Sequence, residues 1–325
     1  MNQLMSIEAA SEMIRRGLPL SVAGPEAVLD RLPQGQWIGG TIPYFMVEEG
    51  GVVVQDERLF VTDLSGLGQV RIGSYGPDEL ARIAGEAPDN GVSLTIIPAA
   101  SPTLRRFAAE AAGYEEAFVK PTVGWIAGVH LSELGRVSPK VYDGSTGQKY
   151  EDRAVVAHLA LPEGRLALVE IVNLFEPDGG DLIRFDSVGD RVETCQVNGE
   201  TVRLADYLRS RGLAHGRLPL VGDFAGAHIN VSLQQVGEDS VSLYAPVFPG
   251  VDYHVAKPVD DYAAAFRAAL AGRELDGAVM SCNCILNFLF GELEGKAIGG
   301  VQGPVTFGEI AYQLLNQTLV VLRVV

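Results

Sequence analysis

Ala278-Val279-Met280-Ser281-Cys282-Asn283-Cys284-Ile285-Leu286 is an apolar run that changes period at its cysteines. Up to the Ser-Cys-Asn-Cys segment it reads as a buried strand, and from Ile285 to Phe290 as a buried helix. Beyond it come Ile298-Gly299-Gly300, then Gly303-Pro304-Val305-Thr306-Phe307-Gly308-Glu309-Ile310, then Asn316-Gln317-Thr318 before a last strand, Leu319 to Leu322. Strand, helix and glycine-rich returns in close succession predict an α+β arrangement. Every local signal of a ligand site falls within this stretch.

Working outward, Ser6 caps a predicted helix over residues 6–17, and a shorter helix lies between Pro25 and Pro33. Tyr44 to Val47, Gly51 to Val54 and Leu59 to Thr62 are β-rich runs separated by glycine and charged turns, read as an antiparallel meander. The period then changes: Pro77 to Ala84 is helical, Leu94 to Ile97 is a buried strand, and Ser101-Pro102 opens a helix ended by Gly113. From Ser132 to Arg153 the sequence is polar and without apolar periodicity, which predicts a boundary. Two layered domains of mixed, largely antiparallel sheet packed with helices are therefore expected, 1–131 and 153–325, with 132–152 as linker or long loop. In the second, Ala154 to Leu159 and Ala167 to Asn173 read as a hairpin, and helices are placed at Leu204 to Leu208 and Asp260 to Ala271. Trp37-Ile38-Gly39-Gly40 and Ala297-Ile298-Gly299-Gly300 echo one another, a hint of duplication.

The chain has 325 residues, with 25 Lys and Arg against 41 Asp and Glu, a formal net charge of −16. Such a surface repels nucleic acid and anionic lipid, so neither is expected as a partner. No apolar run approaches the roughly 18 residues of a membrane span, and no leader pattern opens the chain, so a cytoplasmic protein is expected. Cys195, Cys282 and Cys284 are an odd number, which suits reduced thiols. The five histidines lack paired spacing and zinc needs four ligands, so no metal and no cofactor are expected.

Cys282 falls where strand gives way to helix, the position at which backbone N–H groups activate thiols or bind anions. A buried, inert cysteine is the commoner state of a free thiol. Glu309, between Gly308 and Ile310, is an acid in apolar company and, once buried, must find a donor or protonate. We expect Glu309 and Asn316 at one pocket, with Glu309 reserved for a ligand and Asn316 anchoring a turn.

The ordered set Val279-Met280-Ser281-Cys282, Ile298-Gly299-Gly300, Gly308-Glu309-Ile310 and Asn316-Gln317-Thr318 resembles the C-terminal part of the FIST domain. Asp190 to Gly212 is similar to that family's helix entry, and Trp37 to Thr41, more loosely, to a piece of its N-terminal domain. Asn283-Cys284 stands where the family often has Gly-Arg. The resemblance implies a sensory module that binds small molecules, amino acids or related metabolites, and has no established catalysis. It implies a ligand site of Cys282, Asn283, Gly299, Gly300, Gly308, Glu309, Asn316 and Thr318. With no room for an output domain, a separate signalling protein is the expected partner. The alternatives are a cysteine-dependent enzyme with Cys282 as nucleophile, and an interaction or scaffold protein.

Overall fold

The computed structural model describes residues 2–273, 275 and 278–325. Its elements repeat one order three times. The first unit runs β1 (Asn2–Ser6), α1 (Ile7–Arg15), β2 (Leu20–Gly24), α2 (Glu26–Leu29), β3 (Trp37–Thr41), a hairpin of β4 (Tyr44–Val47) and β5 (Gly50–Val53), then β6 (Arg58–Asp63). The second runs β7 (Gln69–Tyr75), α3 (Arg82–Glu86), β8 (Gly91–Pro98), α4 (Pro102–Glu110), β9 (Thr122–Ala127), the hairpin β10 (Val141–Asp143) and β11 (Gln148–Tyr150), then β12 (Ala154–Ala160).

The third unit opens with β13 (Ala167–Asn173) and is then interrupted by an insert. The insert holds β14 (Ile183–Arg184), β15 (Gly189–Val192), β16 (Thr194–Val197), β17 (Glu200–Arg203), α5 (Leu204–Ser210), β18 (Leu220–Phe224), β19 (Ala227–Val231), β20 (Leu233–Val236), β21 (Val241–Val247) and β22 (Asp252–Val255). The unit resumes with α6 (Tyr262–Leu270), β23 (Ala278–Cys284), α7 (Ile285–Phe290), β24 (Gly303–Thr306), the hairpin β25 (Glu309–Ala311) and β26 (Gln313–Leu315), and β27 (Thr318–Val324).

In each unit the two strands flanking the second helix pair in parallel: β2 with β3, β8 with β9, β23 with β24. The last strand of the unit pairs antiparallel beside the first of these. The hairpin never joins its own sheet. β4–β5 adds to β24 of the third unit, β10–β11 to β3 of the first, and β25–β26 to β9 of the second. Three six-stranded mixed sheets result, each completed by a neighbour, and an α+β fold is the outcome.

The sheets line one interior, where Phe45 stacks on Phe60 at 5.6 Å and Trp125 packs against β3. Gly40 makes that approach possible, since a Cβ there would lie 2.7 Å from the Trp125 ring. Ile7, Ala10 and Ile14 of α1, with Leu29 of α2, cover the outer face of the first sheet. Ile83 of α3 and Phe107 of α4 cover the second. The insert has its own core, centred on Tyr253, Phe185 and Leu208.

Several sequence expectations are corrected. The stretch 132–152 contains β10 and β11, so a boundary there would cut a sheet, and strands from both sides of it pair in two more. β12 and β13 do not form a hairpin: β12 lies between β7 and β8, and β13 beside β27. β6 leaves the meander to pair with β1 and β2. The repeat is threefold, and the glycine echo does not mark it, since Gly39-Gly40 lies in β3 while Gly299-Gly300 precedes β24. Among the described residues no helix is long and apolar enough to cross a membrane.

Candidate functional site

A groove of about 920 Å³ opens between α4, the loop 129–139, α7, the β25–β26 hairpin and β21 of the insert. Its size is that of a small-molecule site. Leu134, Val137, Val188, Tyr244 and Leu289 are exposed apolar or aromatic residues, and all five line its mouth. The charged lining residues Arg105, Arg136, Glu151, Asp152 and Asp190 are exposed at the rim. The inner end is formed by buried residues, among them Ser101, Ala245, Cys284, Leu286, Leu314 and Asn316.

Two of these carry unusual chemistry. Gln317 has φ +50, so the chain turns sharply after Asn316. Asn230 of the insert ties this turn to β19 by donating to the carbonyls of Asn316 (3.1 Å) and Gln317 (3.4 Å). Ser232 holds the Gln317 side chain at 2.7 Å. The Asn316 Nδ2 donates back to the Leu315 carbonyl at 3.0 Å, which fixes the amide orientation and turns Oδ1 away. That Oδ1 is buried and has no hydrogen-bond partner among the described residues. A buried orphan acceptor costs about 1–3 kcal/mol, and Asn316 is one of the residues that line the groove.

Cys284 ends β23 and occupies the cap position of α7. Its buried thiol lies in the electrostatic reach of the Glu309 carboxyl. Burial, and then the neighbouring acid, push the thiol well above its usual range. Glu309 itself is fully buried. Its Oε2 accepts from the Thr318 hydroxyl (2.8 Å) and N–H (3.2 Å), and Oε1 from the Thr306 hydroxyl (3.4 Å). Hydroxyls, an N–H and a thiol offset only part of the cost of desolvating a carboxylate, and the pKa is pushed up to about 8.

Of the residues expected from sequence, Asn316 lines the groove, whereas Glu309 and Thr318, bonded to each other at 2.8 Å, and Asn283, which accepts from Asn287 Nδ2 at 3.0 Å, are buried off its lining. Gly308 (φ +152) lets its carbonyl accept from both the Ile126 N–H and the Thr306 hydroxyl. Cys282 is placed elsewhere: its thiol donates to the Gly124 carbonyl at 3.2 Å inside the core, away from the groove lining. Gly299, beside Arg267 and Leu270 of α6, and Gly300 are exposed turn residues outside the groove. Roles also shift. Asn316, expected as an anchor, carries the orphan atom, while Glu309 is amply hydrogen-bonded.

Sequence reasoning missed Cys284 as the groove thiol, Tyr244, and the loop 129–139. Strand phase could not separate the two thiols, since residues two apart share a face; Cys284 is the last residue of β23 and Cys282 lies two residues inside it. No group of three or more His, Cys, Asp or Glu that could hold a metal occurs among the described residues. No curated protein matches the sequence. A family model described as a family of unknown function, DUF6976, matches residues 5–325, and the chain belongs to that family.

Proposed function

We propose that this protein binds a small, elongated and largely apolar molecule in the groove, with one neutral polar end at Asn316. The observation that carries the reading is a groove with an apolar mouth whose lining includes Asn316, a buried residue with an unpartnered Oδ1. The inner end offers no paired charges, so it favours a neutral head over the zwitterion of a free amino acid. A cytoplasmic sensory role, with occupancy passed to a separate signalling protein, belongs to the same proposal; the FIST resemblance and the acidic composition support it. A scaffold without a ligand site is a poorer account of a groove this size.

Thermal denaturation with octan-1-ol, octanamide and a panel of amino acids tests the reading. The alcohol and amide raise Tm with increasing concentration and the amino acids do not, since a ligand at a hundred times its Kd adds about 2.7 kcal/mol. A flat Tm with the alcohol and the amide, in protein of native circular dichroism, removes the reading.

A further inference from the structure

We propose that residues 132–137 form a hinged cap that closes over the bound molecule against the insert, and that Leu134, Val137 and Tyr244 thereby select for a long apolar tail. This deepens the binding proposal and rests on it.

The threefold repeat isolates the segment. In the first unit the third strand is joined to the hairpin by Ile42-Pro43 alone, and in the third unit by Phe307-Gly308. In the second unit the same connection runs from Gly128 to Lys140. The other large departure from the repeat is the insert between β13 and α6. Both additions reach one place: Leu134 and Val137 line the groove from the first, Val188 and Tyr244 from the second. Two separate additions that meet at one groove assign their shared purpose to it.

The connection is fixed at its feet and free between them. At one foot the Leu131 N–H donates to the Tyr44 hydroxyl at 3.0 Å, and the Leu131 side chain packs on the main core. At the other, Pro139 is buried, the Lys140 N–H donates to Thr41 Oγ1 at 2.9 Å, and the Thr41 N–H donates back to the Lys140 carbonyl at 2.9 Å. Ser132 to Ser138 are exposed. Among the described residues, Ser132 to Val137 hydrogen-bond only within the connection. The Leu134 N–H donates to the Leu131 carbonyl, those of Arg136 and Val137 to the Glu133 carbonyl, and the Arg136 guanidinium to the Ser132 carbonyl. A segment folded on itself between two anchored feet can swing as a unit while breaking few bonds.

Its side chains supply the reason to swing. Leu134 is 54% and Val137 38% exposed, and on the insert Val188 is 51% and Tyr244 40% exposed. An apolar tail lying between these walls lets both leave water at once, so closure is coupled to a tail long enough to bridge them. A short tail leaves the walls apart and gains little.

Hydrogen–deuterium exchange with two alcohols of different length tests this. Saturating octan-1-ol is expected to slow exchange about tenfold in the peptide covering residues 131–138 of the wild-type protein, while the exposed turn at 162–165 stays unchanged. Saturating butan-1-ol is expected to alter neither. Each buried methylene tightens binding about fourfold, so the longer alcohol binds far more tightly. The double variant Leu134→Ser, Val137→Ser, at two exposed positions, is expected to weaken octanol binding about tenfold and to leave butanol binding within about twofold. Tyr244→Ala is expected to do the same from the opposite wall. Octanol binding to wild type with unchanged exchange at 131–138 overturns the cap and leaves the binding proposal standing, and so does a double variant that keeps wild-type octanol affinity. No octanol binding to wild type overturns both. The exchange is read on wild-type protein, so misfolding of a variant cannot rescue the cap.

Discussion

Two buried ionisable groups lie in one sheet and are treated in opposite ways. The sheet runs β26-β25-β9-β8-β12-β7, with Glu309 on β25 and His158 on β12. His158 is sealed: Ser93 Oγ lies 2.9 Å from Nδ1, and Nε2 lies 2.7 Å from the Tyr75 hydroxyl, which donates onward to Glu86 at 2.9 Å. With the tyrosine proton committed to Glu86, Nε2 donates and Nδ1 accepts, so the neutral ring is fully satisfied. Glu309 also has hydrogen bonds on both oxygens, yet these offset only part of the cost of burying its charge, and its pKa is pushed up to about 8. A matched buried group is architecture. Matching is incomplete at Asn316 Oδ1, which is buried and unpartnered on a residue of the groove lining.

The sharpest way to break this contrast is through pH. Glu309 has its folded pKa raised from 4.5 to about 8, so its contribution is fully present below 4.5 and is lost as pH rises through 8. The loss is on the order of 4–5 kcal/mol at about 1.36 kcal/mol per pH unit. Urea denaturation of Glu309→Gln across pH 5 to 9 should show that decline flattened; an unchanged slope would mean the carboxyl is ionised at neutral pH. His158 runs the other way. Burial lowers its pKa from 6.5 to about 4, so its contribution is present above 6.5 and is lost as pH falls through 4. About 3 kcal/mol is involved. His158→Phe should lower overall stability yet flatten the acid limb, and an acid limb as steep as wild type would show that other groups control it.

Smaller effects separate anchor from vacancy. Asn230→Ala removes the tie to two carbonyls and to Asn173, and should cost about 2–3 kcal/mol. Asn316→Ala deletes one local bond together with the orphan acceptor, and should cost less than about 1 kcal/mol in ligand-free protein. If Asn316→Ala is the costlier change in chemical denaturation, Asn316 is structural and the groove loses its polar marker. Least of all, Gly300→Ala, at φ +83 with no neighbour within 4 Å, should cost about 1 kcal/mol and leave octanol binding untouched.

Much of this was legible in the chain itself. Ser6 and Ser101 do cap α1 and α4, through hydrogen bonds to the N–H groups of Ala9 and Leu104. Glu309 stands out as an acid in apolar sequence and is fully buried. Local signals stop at pairing. Nothing in Tyr44-Phe45-Met46-Val47 says that its partner is Gly303-Pro304, because a ladder between distant segments leaves only the alternation that any strand shows. A polar stretch such as 132–152 looks like a linker when one of its two short strands, β11, carries charged and exposed residues. The choice between Cys282 and Cys284 turned on where β23 ends, and element ends are what sequence patterns fix least well.

The cyclic exchange of hairpins also bears on how the chain is made. During synthesis the first unit emerges with its hairpin edge at Phe45 unmatched, and that edge waits until Pro304 has been added. Its own β3 edge waits for Val141 to Asp143, and β9 for Glu309 to Ala311. Truncations at unit boundaries should therefore yield aggregating fragments with bare strand edges, and refolding should be slow, as befits a chain whose decisive contacts span most of its length.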